Sequence, residues 1–216
     1  HRRASDFIEK PLLTYLEPAS SSTSELVTEL IQYFVDPISL NVVEASALYA
    51  GIVVDTKNFV VQTGSRTFDA ASFLRRSGAD LFIVRHLFME SFDSIQLRAK
   101  MLADAERFDG MAITTCPAGI QNASILSAQT ADKLITIEGI EASYVLYTLS
   151  DGGIGVSARS QGAMNIQLVM EALGGGGHRT VAGAQLYDMT MEEAVEAVKS
   201  VAKGQLASMK KEEKAE

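Results

Sequence analysis

Four consecutive glycines, Gly174–Gly177, are followed directly by His178 and Arg179 in the stretch LGGGGHRTVAGAQL. Glycine leaves backbone N–H groups uncovered and puts no side chain in the way of an anion, and an imidazole can donate to a phosphate oxygen. The run has two interpretations, a flexible spacer or a surface that a charged ligand approaches closely. Spacers are usually flanked by Ser, Gly and charge, whereas a helical apolar pattern and an apolar strand-like stretch flank this run. The flanks favour a binding surface.

A second basic group, Arg159, ends the strand-like segment VSARS, and Asn165 follows it near the start of a helical segment. The planar guanidinium offers a bidentate fork to a phosphate or a base edge. A structural salt bridge is the alternative role, but the neighbouring serines and the exit from a hairpin favour a binding edge. The sequence has no GxGxxG motif followed by a ribose-binding acid, which disfavours a dinucleotide-binding Rossmann site.

Asp55 and His1 are further candidates for chemistry. Asp55 follows the apolar segment GIVV, and a carboxylate at the end of a buried helix needs a cation or a set of donors. An acid is also unfavourable at a helix C-terminus, which points towards a metal. The alternative is a local hydrogen bond to Thr56 or Asn58. His1 opens the basic cluster HRR, which is either a solvated terminus, a remnant of a tag, or part of a site.

Composition restricts the class of protein. The 216 residues are 47% apolar and 21% charged, which suits folded domains rather than disorder, and the net charge of −8 excludes coating of long nucleic acids. One cysteine, Cys116, excludes an internal disulfide framework and suits a reducing compartment, and three histidines are too few for a His-rich metal cluster. The longest apolar stretch is too short to span a bilayer, so we expect no membrane contact by this chain.

The first part of the chain has helical patterns. STSELVTELI carries a capping box, and LNVVEASALYAGIVV is apolar nearly all round, which predicts a buried helix. ADLFIVRHLFME and SFDSIQLRAKMLADAERF predict two more helices, the second long and amphipathic. The predicted caps and ends of the first three helices are Ser22 with Glu25, a break at Asp36-Pro37, a cap at Ser39, a cap at Thr67 and a stop at Gly78.

After Phe108-Asp109-Gly110 the pattern changes to alternating strands and helices. MAITTCP, ASYVLYTLS, GIGVSARS and AGAQLYDM predict strands, with Asp151-Gly152-Gly153 as a hairpin turn. NASILSAQTADKLI, AMNIQLVMEAL and the closing MEEAVEAVKSVAKGQLASM predict helices. We therefore predict an α/β fold with a mostly helical region over residues 1–88, a linking helix over 89–109, an α/β domain over 110–208, and a disordered tail over 209–216.

These segments resemble a known family. GGGGHRTVAGA after VSARSQGAMNIQLVMEALG is similar to the DHHA1 domain of the DHH/DHHA1 phosphoesterases, and HRR is similar to the end of their Asp-His-His-Arg-Arg segment. Together with EPASSSTSELVTELI and SLNVVEASALYAGIVVDTKNF, the ordered set most resembles the membrane-anchored cyclic-di-AMP phosphodiesterases of bacteria. The resemblance implies the C-terminal part of a DHH domain joined by a helix to an α/β DHHA1 domain with a mixed sheet.

The resemblance also implies a reaction and a site. The family hydrolyses cyclic di-AMP to linear pApA with two metal ions, usually Mn2+. Of its metal ligands, only the final Asp matches a residue here, Asp55, while His1 is similar to the histidine that faces the substrate phosphate. A cyclic dinucleotide substrate, a homodimer and a cytoplasmic catalytic part on a membrane-anchored protein are further implications. The residues that match the family's substrate-binding edge are Arg159, Gly175, Gly176, Gly177 and His178.

The sequence also bears on the completeness of the site and leaves two other functions open. The chain has no initiator Met and opens on a charged cluster, so we expect it to be a piece of a longer protein, inactive by itself because most metal ligands are missing. An oligoribonuclease or phosphoadenosine phosphatase of the same family shares the glycine-rich segment. A nucleotide-binding module without catalysis is the alternative from another class.

Overall fold

The computed structural model describes residues 11–34 and 39–212. The chain divides into two compact units, His1–Met89 and Glu90–Glu216. His1 and the predicted break at Asp36-Pro37 lie outside the described residues. None of the helices in the described ranges is both long and apolar enough to cross a membrane.

The described part of the first unit is helical. The helices are α1 (Thr23–Gln32), α2 (Val42–Asp55), α3 (Ser65–Arg76) and α4 (Leu81–Leu87). Ser22 caps α1 as predicted, since its hydroxyl accepts from the Glu25 backbone N–H at 3.0 Å. The Glu25 carboxylate instead accepts a hydrogen bond from the Ser21 hydroxyl. The stop at Gly78 is also confirmed, because α3 ends at Arg76 and Gly78 has φ +100°, where glycine is favoured.

Two predicted caps are wrong. Asn41 rather than Ser39 caps α2, because Asn41 and Glu44 exchange reciprocal hydrogen bonds of 2.9 Å and so satisfy two backbone donors at once. Thr67 lies one turn inside α3, where its hydroxyl accepts from the Gly64 backbone N–H at 3.1 Å. Both corrections have the same cause: the side chain three residues after the N-cap accepts a hydrogen bond from the backbone N–H of the N-cap residue.

Helix α2 is buried on one side, and the prediction of burial all round is wrong for the described residues. Ala45 and Ile52 are fully buried, with Ala70 and Leu74 of α3 as neighbours in one apolar cluster. Val43 on the same helix is 66% exposed. The described helices of the unit therefore pack against only part of the apolar circumference of α2.

The second unit is a six-stranded mixed sheet with helices on both faces. The strands β2 and β3 are parallel, and the other neighbouring strands are antiparallel, in the order β1-β2-β3-β4-β6-β5. Every strand and helix predicted after residue 110 is present. The elements are α5 (Phe92–Ala103), β1 (Glu106–Phe108), β2 (Met111–Thr115), α6 (Ala123–Leu134), β3 (Ala142–Thr148), β4 (Ile154–Ser160), α7 (Ile166–Glu171), β5 (Gly176–Gly177), β6 (Val181–Leu186) and α8 (Met191–Glu212).

The predicted long helix before residue 109 is shorter than expected. Helix α5 ends at Ala103, and Glu106–Phe108 form an edge strand that pairs with β2. Asp109 and Gly110 both have positive φ, +46° and +76°, which is the geometry of a two-residue hairpin turn. The expected tail also differs, since α8 continues to Glu212, as suits a run of Lys and Glu with high helix propensity.

Alternate strand residues form two cores on opposite faces of the sheet. On one face Tyr144, Leu146 and Val156 pack in a cluster with α7 and α8. On the other face Val145 packs in a cluster with Leu134 of α6, whose main contacts with the sheet are to β3 and β4. The open part of this second face is therefore the side where β6 and β5 lie.

Candidate functional site

The glycine run forms the edge of the sheet. Gly176 and Gly177 pair with Gly183 and Ala182, so two of the four glycines are a short strand and not a spacer. The hairpin closes at His178, whose N–H donates to the Val181 carbonyl at 2.7 Å. A flexible linker would lack these cross-strand pairs, so the spacer interpretation is wrong.

The glycines differ in what surrounds them. A Cβ at Gly175 would lie 2.2 Å from the Gly183 carbonyl oxygen, and a Cβ at Gly177 would lie 2.5 Å from the Ala182 Cα. These two glycines allow the edge strand to approach β6 closely. A Cβ at Gly176 would have nothing within 4 Å, so the space beside Gly176 is open. A Cβ at Gly174 would also meet nothing within 4 Å, but Gly174 has φ +76° and precedes the strand, so Gly176 is the member of the run on the strand that leaves room for a ligand.

His178 and Arg179 lie at the tip of this hairpin, and both are exposed. Arg179 Nε donates to the Gly162 carbonyl at 3.0 Å, and the Ile166 N–H donates to the Arg179 carbonyl at 3.1 Å. These bonds connect the hairpin tip to the loop before α7. The His178 imidazole is therefore accessible on a turn that the neighbouring loop holds in place.

Arg159 takes the structural role that was its alternative in the sequence. Its Nε donates to Asp132 Oδ1 of α6 at 3.0 Å, and the Arg159 side chain is 12% exposed. Its Nη1 also donates to the Ala158 carbonyl at 3.0 Å. The ion pair fastens α6 to β4, and the role of Arg159 in ligand binding stays a prediction.

Asp55 is the last residue of α2 and is exposed to solvent. Partial desolvation by its surroundings nevertheless raises the pKa of its carboxyl group. Thr56, its expected hydrogen-bond partner, instead donates to the Ile52 carbonyl at 2.7 Å and accepts from the Phe59 N–H at 2.9 Å. Both of these hydrogen bonds of the Thr56 hydroxyl are therefore to backbone groups and not to Asp55.

The segment after Asp55 has an unusual backbone. Lys57, Asn58 and Phe59 have φ of +48°, +60° and +63°, a left-handed tract that non-glycine residues rarely adopt. Such strain concentrates at functional positions, where the surrounding structure stabilises it. Phe59 stacks on Phe68 with ring centroids 5.5 Å apart, which anchors the tract. The left-handed backbone directly after Asp55 therefore favours a functional role for this turn.

A metal site cannot be assembled from the described residues. Among them, no three His, Cys, Asp or Glu side chains lie together as metal ligands would. His1, the other residue that the resemblance implicates, lies outside the described ranges. Asp55 as a ligand therefore stays a prediction.

An open cleft of about 440 Å³ lies beside the glycine edge. It was missed in the sequence because its walls come from three strands. The signal that could have found it is the alternation of small and polar residues in GVS and GAQ, which puts them on one face of the sheet. Its main lining residues are Tyr147, Ser157, Gly174, Gly175, Gly183 and Gln185.

The chain is similar to several known proteins. Residues 111–207 match the DHHA1 domain family. Over 195 residues, 90% of this chain, it is 52% identical to the cyclic-di-AMP phosphodiesterase GdpP of Geobacillus thermodenitrificans and 47% identical to the cyclic-di-AMP phosphodiesterase PdeA of Listeria monocytogenes. The chain spans 30% of the length of each.

A solved structure supports the fold. An exopolyphosphatase-related protein from Bacteroides fragilis superposes with a TM-score of 0.77 at 24% identity, covering 89% of this chain and 59% of that one. At this identity the likeness concerns the fold alone.

Proposed function

We propose that this chain, whose residues 111–207 match the DHHA1 domain family, binds the nucleotide in a phosphodiesterase that hydrolyses cyclic di-AMP to linear pApA. The observation that carries the proposal is the identity of 52% and 47% to two proteins named cyclic-di-AMP phosphodiesterases, over 90% of the chain. Both known proteins are longer than this chain, so the activity belongs to a larger enzyme of which the chain is one part.

The glycine edge is the part of the chain that suits a phosphodiester ligand. Gly176 leaves open space beside the backbone, and His178 presents an imidazole at the hairpin tip. Backbone N–H groups and an imidazole donor suit a phosphate oxygen without a high net positive charge. Since the chain has a net charge of −8, such local donors are the way it would bind an anion.

Arg159 supports this edge indirectly in our proposal. Its bond to Asp132 holds α6 against β4, and β4 lies next to β6, the partner of the glycine strand. Arg159 therefore stabilises the sheet that carries the ligand edge. Direct contact of its guanidinium with a phosphate or base is a further element of the proposal.

The proposal also includes a metal ion in the complete enzyme. Manganese is the expected ion, and in the complete enzyme it would activate water and offset phosphoryl charge. The described residues do not by themselves fit such a site, since no three potential ligands cluster among them. We retain Asp55 as a carboxylate ligand of the complete enzyme and derive no reaction step through the ion.

The remaining elements rest on the family resemblance. We infer that the complete enzyme is a homodimer anchored in the cell membrane, with this chain on the cytoplasmic side.

Calorimetric titration of the 216-residue chain tests the binding function. Cyclic di-AMP and pApA should bind at one saturable site, and both should bind more tightly than 3′-phosphoadenosine 5′-phosphate. Tighter binding of the monomeric nucleotide would instead support a phosphoadenosine phosphatase. An absence of heat with all three ligands, at concentrations up to the millimolar range, would contradict nucleotide binding by this chain.

A further inference from the structure

On one face of the sheet, two neighbouring rows of residues lie beside the glycine edge, and glycine or serine occupies most of the positions in them. The strand registers put Tyr147, Gly155 and Gln185 in one row across β3, β4 and β6. The neighbouring row contains Ser157, Gly183 and Gly176. Because side chains on a strand alternate between faces, both rows lie on the face opposite α7 and α8. The rows are about 7 Å apart, two residues along each strand.

The Tyr147 ring lies across Gly155. A Cβ at Gly155 would be 2.3 Å from the Cζ of Tyr147, so only glycine accommodates the ring in this place. Tyr147 is half-buried, since one part of it packs against the cluster under α6 while another part borders the open cleft. The ring is thus held by the fold and still accessible from the cleft.

Tyr187 repeats this arrangement one row further along. A Cβ at Gly153 would be 2.6 Å from the Cε1 of Tyr187, and Tyr187 is 48% exposed. Its hydroxyl lies 3.2 Å from Asp151 Oδ2 and 3.3 Å from Gln185 Oε1. These contacts restrain Gln185 at the rim of the cleft, while the rest of its exposed amide stays able to donate and accept.

The chemistry of the cleft fits a neutral ring better than a phosphate. None of the residues that line it, all in the described part of the chain, carries a charge. Its volume of about 440 Å³ is in the usual range for small-molecule sites. Aromatic side chains on an open sheet bind bases by stacking, and a Gln amide can pair with the N6 and N7 edge of adenine.

We propose that Tyr147 and Gln185 form a base-binding subsite that takes an adenine of the bound nucleotide, with the attached phosphate along Gly176. This rests on the proposed function, because it assigns one half of the same ligand. Tyr147 supplies the stacking surface and Gln185 pairs with the base edge. Gly155 accommodates the Tyr147 ring, and Gly183 puts no side chain in the neighbouring row. In this arrangement the face of the sheet binds the adenine, and the glycine hairpin binds the phosphate.

The test compares variants of the 216-residue chain by calorimetry with three probes: cyclic di-AMP, adenosine 5′-monophosphate and ribose 5-phosphate. Tyr147→Ala should weaken both adenine ligands about tenfold or more, the range of base–aromatic stacking, and leave ribose 5-phosphate unchanged. Tyr147→Phe should bind like the unchanged chain. Gln185→Ala should weaken the adenine ligands about fivefold or more.

The test does not depend on the folding of Tyr147→Ala alone. Gln185 is exposed, so its variant should fold even where Tyr147→Ala does not. The chain has no tryptophan, so Tyr147→Trp introduces a single tryptophan whose fluorescence a stacked adenine should quench. Tyr33→Ala, which removes an exposed ring from the first unit, serves as the matched control.

The outcomes separate the subsite from the proposed function. If the unchanged chain binds cyclic di-AMP while the Tyr147 and Gln185 variants bind it equally well, the subsite is wrong and the proposed function stands. Binding of ribose 5-phosphate as tight as that of adenosine 5′-monophosphate would also overturn the subsite. Failure of the unchanged chain to bind cyclic di-AMP would overturn both.

Discussion

At the scale of single residues, neighbouring glycines of the run have different structural roles. A methyl group added at Gly175 or Gly177 would lie within 2.7 Å of backbone and Cβ atoms of β6, whereas one added at Gly176 would lie in open space. The sequence predicted that the run faces a ligand, but it could not rank its members. Which glycine contacts β6 depends on the strand register, and a strand of two glycines has no side-chain alternation from which to read one.

Arg159 shows a similar limit. Its sequence context allowed either a binding fork or a salt bridge, and the partner in the salt bridge, Asp132, lies 27 residues earlier on α6. Only the packing of α6 on β4 brings the two together. Local sequence patterns cannot supply such a contact.

We predict that Arg159 and Asp132 stabilise the second unit as a pair. Arg159→Ala should lower the free energy of unfolding by about 1–3 kcal/mol, because it removes a charged hydrogen bond between β4 and the partly buried Asp132 carboxylate. A double-mutant cycle with Asp132→Ala, measured by urea unfolding, should give a coupling energy of about 0.5–3 kcal/mol. Additive effects would show that the ion pair contributes nothing beyond its separate members.

At the scale of elements, the sequence predicted which helices exist better than where they begin. Hydrophobic periodicity extends over a whole helix, whereas a cap depends on one side chain and one turn of geometry. Asn41 and Thr67 illustrate this, since each takes part in a reciprocal or backward bond that a search for Ser or Thr before the apolar run overlooks. The short strand β1 was missed for a related reason, because three residues are too few for a period.

We predict that Asn41 and not Ser39 determines the start of α2. Asn41→Ala should lower the free energy of unfolding of the first unit by about 1 kcal/mol, because it leaves the Glu44 N–H without its acceptor. Ser39→Ala is the matched control and should change the melting temperature little. Thermal unfolding followed by circular dichroism measures both variants, and equal effects would contradict the assignment of the cap.

At the scale of the whole molecule, the sequence predicted the mixed α/β fold and the order of the elements after residue 110. The open cleft was missed, because residues of β3, β4 and β6 build its surface together. The sequence also placed α2 wholly inside, although Val43 is 66% exposed. An apolar helix pattern indicates that burial is favourable, but it does not say which part of a protein covers the helix.

We predict that this chain alone, with added manganese, will hydrolyse cyclic di-AMP far more slowly than a complete phosphodiesterase. A two-metal mechanism needs a shared set of ligands, and no three candidate ligands cluster in the described residues. Chromatographic detection of pApA over time measures the rate, with a complete cyclic-di-AMP phosphodiesterase as the positive control. Comparable turnover by the two proteins would contradict the prediction.

The central claim is that the glycine edge holds a cyclic dinucleotide, and titration of one pair of variants with cyclic di-AMP tests it most directly. Gly176→Val places a side chain in the open space beside the edge, whereas Gly204→Val, on the exposed surface of α8, is the matched control because a Cβ there also meets nothing within 4 Å. We expect Gly176→Val to lower the affinity at least about tenfold at an unchanged melting temperature, and Gly204→Val to bind like the unchanged chain. Equal affinity of the two variants for cyclic di-AMP would contradict the claim.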